Sequence, residues 1–130
     1  MIERFGSGGP WEQAYGYSRV VRAGDVLLTA GCTATVNGVV TGVGDAYAQT
    51  LTAFRIGLDA LGAAGAGVHD VIRTRMYVVQ GADPDAVGRA HGELFGAVRP
   101  VATLVVVAGL LHPNHLVEEE IEAYVPGVGP

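Results

Sequence analysis

The sequence predicts an α+β fold, a single mixed β-sheet with two helices packed on one face. Three observations carry this reading. Apolar and β-branched runs such as Val71–Val79 and Thr103–Val107 read as strands. From Asp45 the apolar residues change to steps of four and three. Asp83-Pro84 then opens a second helical segment after a strand. The predicted order is β-β-(β)-α-β-α-β-β.

The elements follow in chain order. Residues 1–14 begin Gly/Ser/Pro-rich and are expected to form an irregular arm on a single domain spanning 1–130. Tyr17 to Arg22 and Val26 to Thr33 read as two strands of a hairpin, broken at Ala23-Gly24-Asp25. Asn37-Gly38 marks a turn before Val39-Val40. Tyr47, Leu51, Phe54, Leu58 and Leu61 form one helical stripe, with Asp45 as its cap and Gly65 as its end. Val71–Val79 is the next strand. Asp83-Pro84 caps a helix whose buried side is Val87, Ala90 or His91, and Leu94, closed by Gly96. Thr103–Val107, apolar throughout, is expected to be buried on both faces. Leu116–Val125 is the last strand, stopped by Pro126-Gly127.

Composition narrows the function. The 130 residues are 49% hydrophobic and 16% charged, with a mean hydropathy of +0.33, which suits subunit contacts better than a small monomer. All eight basic residues are Arg, scattered along the chain, and the net charge is −5. A nucleic-acid role, which needs a positive stripe, is disfavoured. The single cysteine excludes an intrachain disulfide and fits a reducing compartment. Neither a signal peptide nor an apolar run of the ~20 residues a membrane span requires is seen. A soluble, cytoplasmic protein without membrane contact is expected.

Strand alternation locates the chemistry. Arg73, Arg75 and Tyr77 share one face of their strand, and Ile72, Thr74, Met76 and Val78 the other. In the last strand Glu118, Glu120, Glu122 and Tyr124 share a face, opposite Ile121, Ala123 and Val125. A face carrying guanidinium and carboxylate groups is either a solvated surface of Arg–Glu pairs or the wall of a cleft. In the second case a carboxylate there handles protons.

Six short pieces in order resemble the RidA family, the reactive-intermediate imine deaminases. They are Gly16-Tyr17-Ser18, the stretch Gly24 to Gly31, Asp70 to Thr74, Leu94-Phe95-Gly96, Arg99 to Thr103, and Val117 to Ala123. The resemblance implies a chorismate-mutase-like fold and a homotrimer with clefts between subunits. It also implies cofactor-free hydrolysis of reactive enamines and imines to a carbonyl compound and ammonia. Glu120 matches the family's water-handling acid, Tyr17 its cleft tyrosine and Gly31 its backbone contact to the ligand. The carboxylate-clamping Arg of the family falls on Ala102, and its ligand-binding Asn on Gly88. Loss of that clamp removes roughly 1.5–3 kcal/mol of binding, or one to two orders of magnitude in affinity for 2-imino acids. Arg75, on the open face, is a candidate replacement clamp or else a strand partner of Glu120 or Glu122.

Other candidates are weaker. Cys32 follows Gly31 and either points into the cleft or packs as a small hydrophobe. His112-Pro113-Asn114-His115 offers too few ligands for a metal, and none is implied. His91 reaches the cleft or packs. Gly42-Val43-Gly44-Asp45 is better explained as a helix cap than as a phosphate loop. Two functions compete: a hydrolase of small imines using Glu120, and a non-catalytic trimer that binds a small metabolite in the same cleft.

Overall fold

A computed structural model describes residues 1–127. Its elements are β1 (Ile2–Phe5), α1 (Pro10–Tyr15), β2 (Val20–Ala23), β3 (Val26–Thr29), β4 (Cys32–Thr33), β5 (Thr35–Val36), β6 (Val39–Val40), α2 (Ala46–Ala63), β7 (Val71–Val79), α3 (Pro84–Phe95), β8 (Val101–Val107) and β9 (Val117–Tyr124). The main sheet runs β1-β2-β3-β9-β7-β8, with β4 continuing along β9. Only β7 and β8 are parallel, so the sheet is mixed as predicted. Asn37 and Gly38, both with positive φ, turn the small β5–β6 ribbon.

Helices α2 and α3 cover one face. Leu27, Met76, Val78, Val117 and Ile121 from the sheet meet Phe54, Leu61, Val87 and Phe95 in one core. Asp45 caps α2 by accepting the Ala48 N–H at 3.0 Å, and Asp83 caps α3 through Asp85. The buried side of α2 is rotated from the expected stripe. Phe54 and Leu61 are buried, whereas Thr50, Ala53 and Gly57 replace Tyr47, Leu51 and Leu58 at the sheet. Small residues there let the helix axis approach the strands, and the larger ones flank the contact. In α3, Val87 and Ala90 are buried as expected, and Phe95 rather than Leu94 completes the face.

Four further expectations need correction. Residues 1–14 are not an irregular arm: β1 pairs antiparallel with β2, and Pro10 starts α1 at a position where its missing N–H costs nothing. The strand expected from Tyr17 starts at Val20, because Gly16 ends α1 in a left-handed conformation and the chain must then turn into the sheet. Ile72 does not face the helices; a register shift between Val71 and Arg73 turns it outward, 45% exposed, and Val71 is buried in its place. Finally, β8 is not buried on both faces. Among the described residues it is the sheet edge, paired only with β7, and Val101 and Val106 are 58% and 59% exposed.

Candidate functional site

The face opposite the helices carries the charged side chains. Register sets Arg73 against Glu122, Arg75 against Glu120 and Tyr77 against Glu118. The Arg75 guanidinium donates to Glu120 Oε1 at 3.2 Å, and the Tyr77 hydroxyl reaches diagonally to the same oxygen at 2.6 Å. Arg73 sits 3.9 Å from Glu122. One Glu120 oxygen is therefore pinned by two donors, and Oε2 has no partner among the described residues. The hydrogen bond to Glu120 raises the Tyr77 hydroxyl's hold on its proton.

Glu120 borders a cavity of about 270 Å³ lined also by Gly31, Tyr77, Val107, Gly109, Leu110 and Glu118. A larger hollow of about 560 Å³ lies by the starts of α2 and α3. Its one ionisable side chain, Asp83, is occupied with capping, so the chemistry belongs to the smaller cavity.

Gly31 fixes the cavity's floor between β3 and β4. A methyl group on it would fall on the Glu118 carboxylate, so glycine admits Glu118 to the cavity. The Gly31 carbonyl accepts Arg19 Nη1 at 2.7 Å. Arg19 also lies 3.4 Å from Cys32 Sγ and 3.5 Å from Glu12. Glu12, held in turn by the Ser7 N–H and hydroxyl, ties the N-terminal segment to this floor. Burial, and secondarily Glu120, raises the Glu118 carboxyl above its ordinary range.

Beneath the sheet the picture changes. Cys32 pairs in register with Glu119, and both point toward α2. Glu119 is fully buried and neither of its oxygens has a hydrogen-bond partner among the described residues. Burial pushes its carboxyl well above the ordinary range, so the acid is neutral where an isolated carboxylate could not be accommodated. Burial likewise pushes the Cys32 thiol up to about 12. Cys32 thus does not point into the cleft, and it is a packed, protonated thiol rather than a nucleophile.

The structure brings Glu120, Gly31 and Arg75 together and separates the other candidates. Tyr17 is 40% exposed, with the Arg19 guanidinium 5.7 Å from its ring centroid, and it does not line the cavity. Ala102 pairs with the inward-facing Thr74, so its side chain lies on the helix side, away from Glu120. Gly88 sits on the exposed side of α3. Arg19 and Glu119 escaped the sequence reading. Strand alternation from Val117 already placed Glu119 among inward residues, whereas nothing local marked Arg19. Glu118, which alternation placed on the open face with Glu120, lines the cavity.

His91 and His115 are held by hydrogen bonds outside the cavity. His91 Nε2 bonds Thr74 Oγ1 at 2.7 Å between Phe54 and Phe95, and burial lowers its proton affinity. His115 bonds Thr35 at 2.8 Å. Among the described residues no cluster of three metal-binding side chains exists, and no helix is long and apolar enough to cross a membrane.

Comparison with known proteins extends over nearly the whole chain. The sequence profile described as endoribonuclease L-PSP matches residues 11–125. An uncharacterized protein of Streptomyces coelicolor, SCO2049, is 47% identical over 123 residues, covering 95% of this chain and 92% of the relative. The crystal structure of Rv2704 from Mycobacterium tuberculosis, described as a member of the highly conserved YjgF/YER057c/UK114 family, superposes with a TM-score of 0.86 at 42% identity, covering 96% of this chain and all of that one. PA3499 of Pseudomonas aeruginosa, a protein of unknown function, superposes with a TM-score of 0.82 at 31% identity, covering 96% and 93%.

Proposed function

Because the chain belongs to the endoribonuclease L-PSP family, the YjgF or RidA family, we propose that it is a cofactor-independent hydrolase of small reactive imines and enamines. The observation that carries this reading is Glu120: one oxygen is fixed by Arg75 and Tyr77, and the other is free at a cavity. A carboxylate so held accepts a proton from water while the water oxygen attacks the imine carbon. The proton passes to the nitrogen of the resulting carbinolamine. Glu120 then takes the carbinolamine's hydroxyl proton and returns it to the departing nitrogen as the C–N bond breaks, giving the carbonyl compound and ammonia, so one water is consumed and no electrons are exchanged. An enamine enters after tautomerising to its imine.

No basic side chain lines the cavity, and Arg75 is engaged with Glu120. Standard 2-imino acids are therefore poor substrates in this reading. The working unit is a cytoplasmic homotrimer with its clefts at subunit contacts. The exposed apolar edge strand β8, including Val105 at 40% exposure, supports this, since an uncovered edge of that kind invites pairing or packing. RNA is disfavoured as substrate by the net charge of −5 and by the two carboxyl groups in the cavity.

The test supplies imines generated in place by an amine or amino-acid oxidase and measures carbonyl and ammonia release with and without the protein. Acceleration over the spontaneous rate is expected. Cleavage of a labelled RNA with no acceleration on any imine would overturn the proposal.

A further inference from the structure

We infer that Glu118 is the recognition residue of this cavity and selects substrates that present a protonated nitrogen and carry no carboxylate. The inference deepens the hydrolase reading by naming a substrate class, and it takes from that reading only the identity of the cavity.

Charge pairing around the cavity leaves one group over. On β9, Glu122 has Arg73 and Glu120 has Arg75 and Tyr77. Below the floor, Glu12 has Arg19 and Ser7. Of the three glutamates that β9 presents on this face, Glu118 alone has neither a hydrogen bond nor an ion pair among the described residues. It is nonetheless held in the cavity wall, because Gly31 has no side chain to displace it. The neighbouring cations are committed: Arg75 to Glu120, and Arg19 to the Gly31 carbonyl, Cys32 and Glu12. From β8, Val107 brings no charge, and Gly109 and Leu110 bring none from the loop that follows.

Glu118 and Glu120 are two residues apart on one strand face, so their backbones are about 7 Å apart. A ligand between them meets two carboxyl groups, one paired and one unpaired. An anion is repelled by both. A protonated imine or amine gives Glu118 the partner it lacks and places its neighbouring carbon toward the free oxygen of Glu120. Burial and the nearby Glu120 make Glu118 hold its proton more tightly than usual, as expected of a carboxylate awaiting a cation. At about 270 Å³ the cavity falls just below the ~300 Å³ at which drug-sized pockets begin, so the ligand is small.

The experiment compares two probes of one shape, benzylammonium and benzoate, titrated at pH 7.5 into the intact protein and followed by the amide resonances of Gly31, Glu118 and Glu120. Benzylammonium is expected to bind at least tenfold more tightly than benzoate. Glu118→Gln is expected to lower benzylammonium affinity at least fivefold, and Glu122→Gln, which removes the carboxylate already paired with Arg73, to leave it unchanged. Should Glu118→Gln not fold, the wild-type affinity for benzylammonium carries the test. It rises with pH, above the ordinary carboxylate range, as Glu118, faced by Glu120, Tyr77 and Arg19, loses its proton. Equal or tighter binding of benzoate, no saturable ammonium binding, full ammonium affinity in Glu118→Gln, or a flat pH profile would each overturn the inference. None of these readouts uses turnover. A protein inert toward imines that still prefers the ammonium removes the hydrolase reading alone, whereas rapid hydrolysis of 2-imino acids removes this inference and leaves the hydrolase activity itself standing.

Discussion

Replacing the buried acid Glu119 with Gln should change how stability depends on pH more than it changes stability itself. The carboxyl is fully buried with both oxygens unpartnered, so burial holds it protonated in the folded chain. In the unfolded chain it ionises at its ordinary value of 4.5. Above that value folding must take up a proton. A folded-state value raised in this way contributes stability that is complete below 4.5 and is lost as pH rises toward the folded value. Within that window the wild type loses stability at up to about 1.4 kcal/mol per pH unit. Gln has nearly the same shape and does not titrate, so the variant gains on the wild type by that slope. Thermal unfolding of both proteins from pH 6 to 8, at one protein concentration, gives the difference directly. Each kcal/mol is worth roughly 4 °C at this chain length. Cys32, with its thiol at about 12, does not titrate in that range. A difference in Tm that stays constant from pH 6 to 8 would refute the assignment of a neutral Glu119.

Three other outcomes follow from the same structure. Light scattering should report about three times the chain mass of 13.4 kDa, and Val106→Glu on the exposed edge strand should shift the protein toward monomer; a wild-type monomer would remove the trimer. The Cys32 thiol at about 12 should react with iodoacetamide at pH 8 about three orders of magnitude more slowly than a free thiol, and alkylation at the free-thiol rate would contradict its burial. Gly57→Ala would place a methyl group 2.8 Å from Glu119 Oε1 and 2.9 Å from Ile121 Cδ1. Overpacking of about 1–3 kcal/mol should exceed the helix-propensity gain of about 1 kcal/mol, so an increase in Tm would show that α2 can move off the sheet.

Much of the fold was legible because the local signals agreed with the tertiary structure. The strand expected at Val71–Val79 and the cap at Asp83-Pro84 are found with the same limits, since β-branched runs and an Asp-Pro cap act over a few residues. Alternation along β9 placed Glu118, Glu120 and Glu122 on one face, because a strand has only two faces. The readings that failed depended on what lies beside an element. Thr103–Val107 looks like a central strand, yet nothing in its composition says that only one neighbour pairs with it. Ile72 faces outward because of a bulge that no single residue announces. Glu120 was found through a family resemblance resting on short pieces in order. Arg19 was not, because its role comes from Gly31 and Glu12, which are brought to it only by folding.

Glu120 as the group that handles water is the centre of the account, and steady-state hydrolysis of an enzymatically generated imine by wild type and Glu120→Gln measures it most directly. The substitution keeps the shape and leaves an amide oxygen to accept the Tyr77 hydroxyl, while removing the base. The account predicts an unchanged oligomeric state and a Tm within a few degrees of wild type, with kcat lowered at least about 100-fold. A folded Glu120→Gln protein that turns over the imine at the wild-type rate would contradict it.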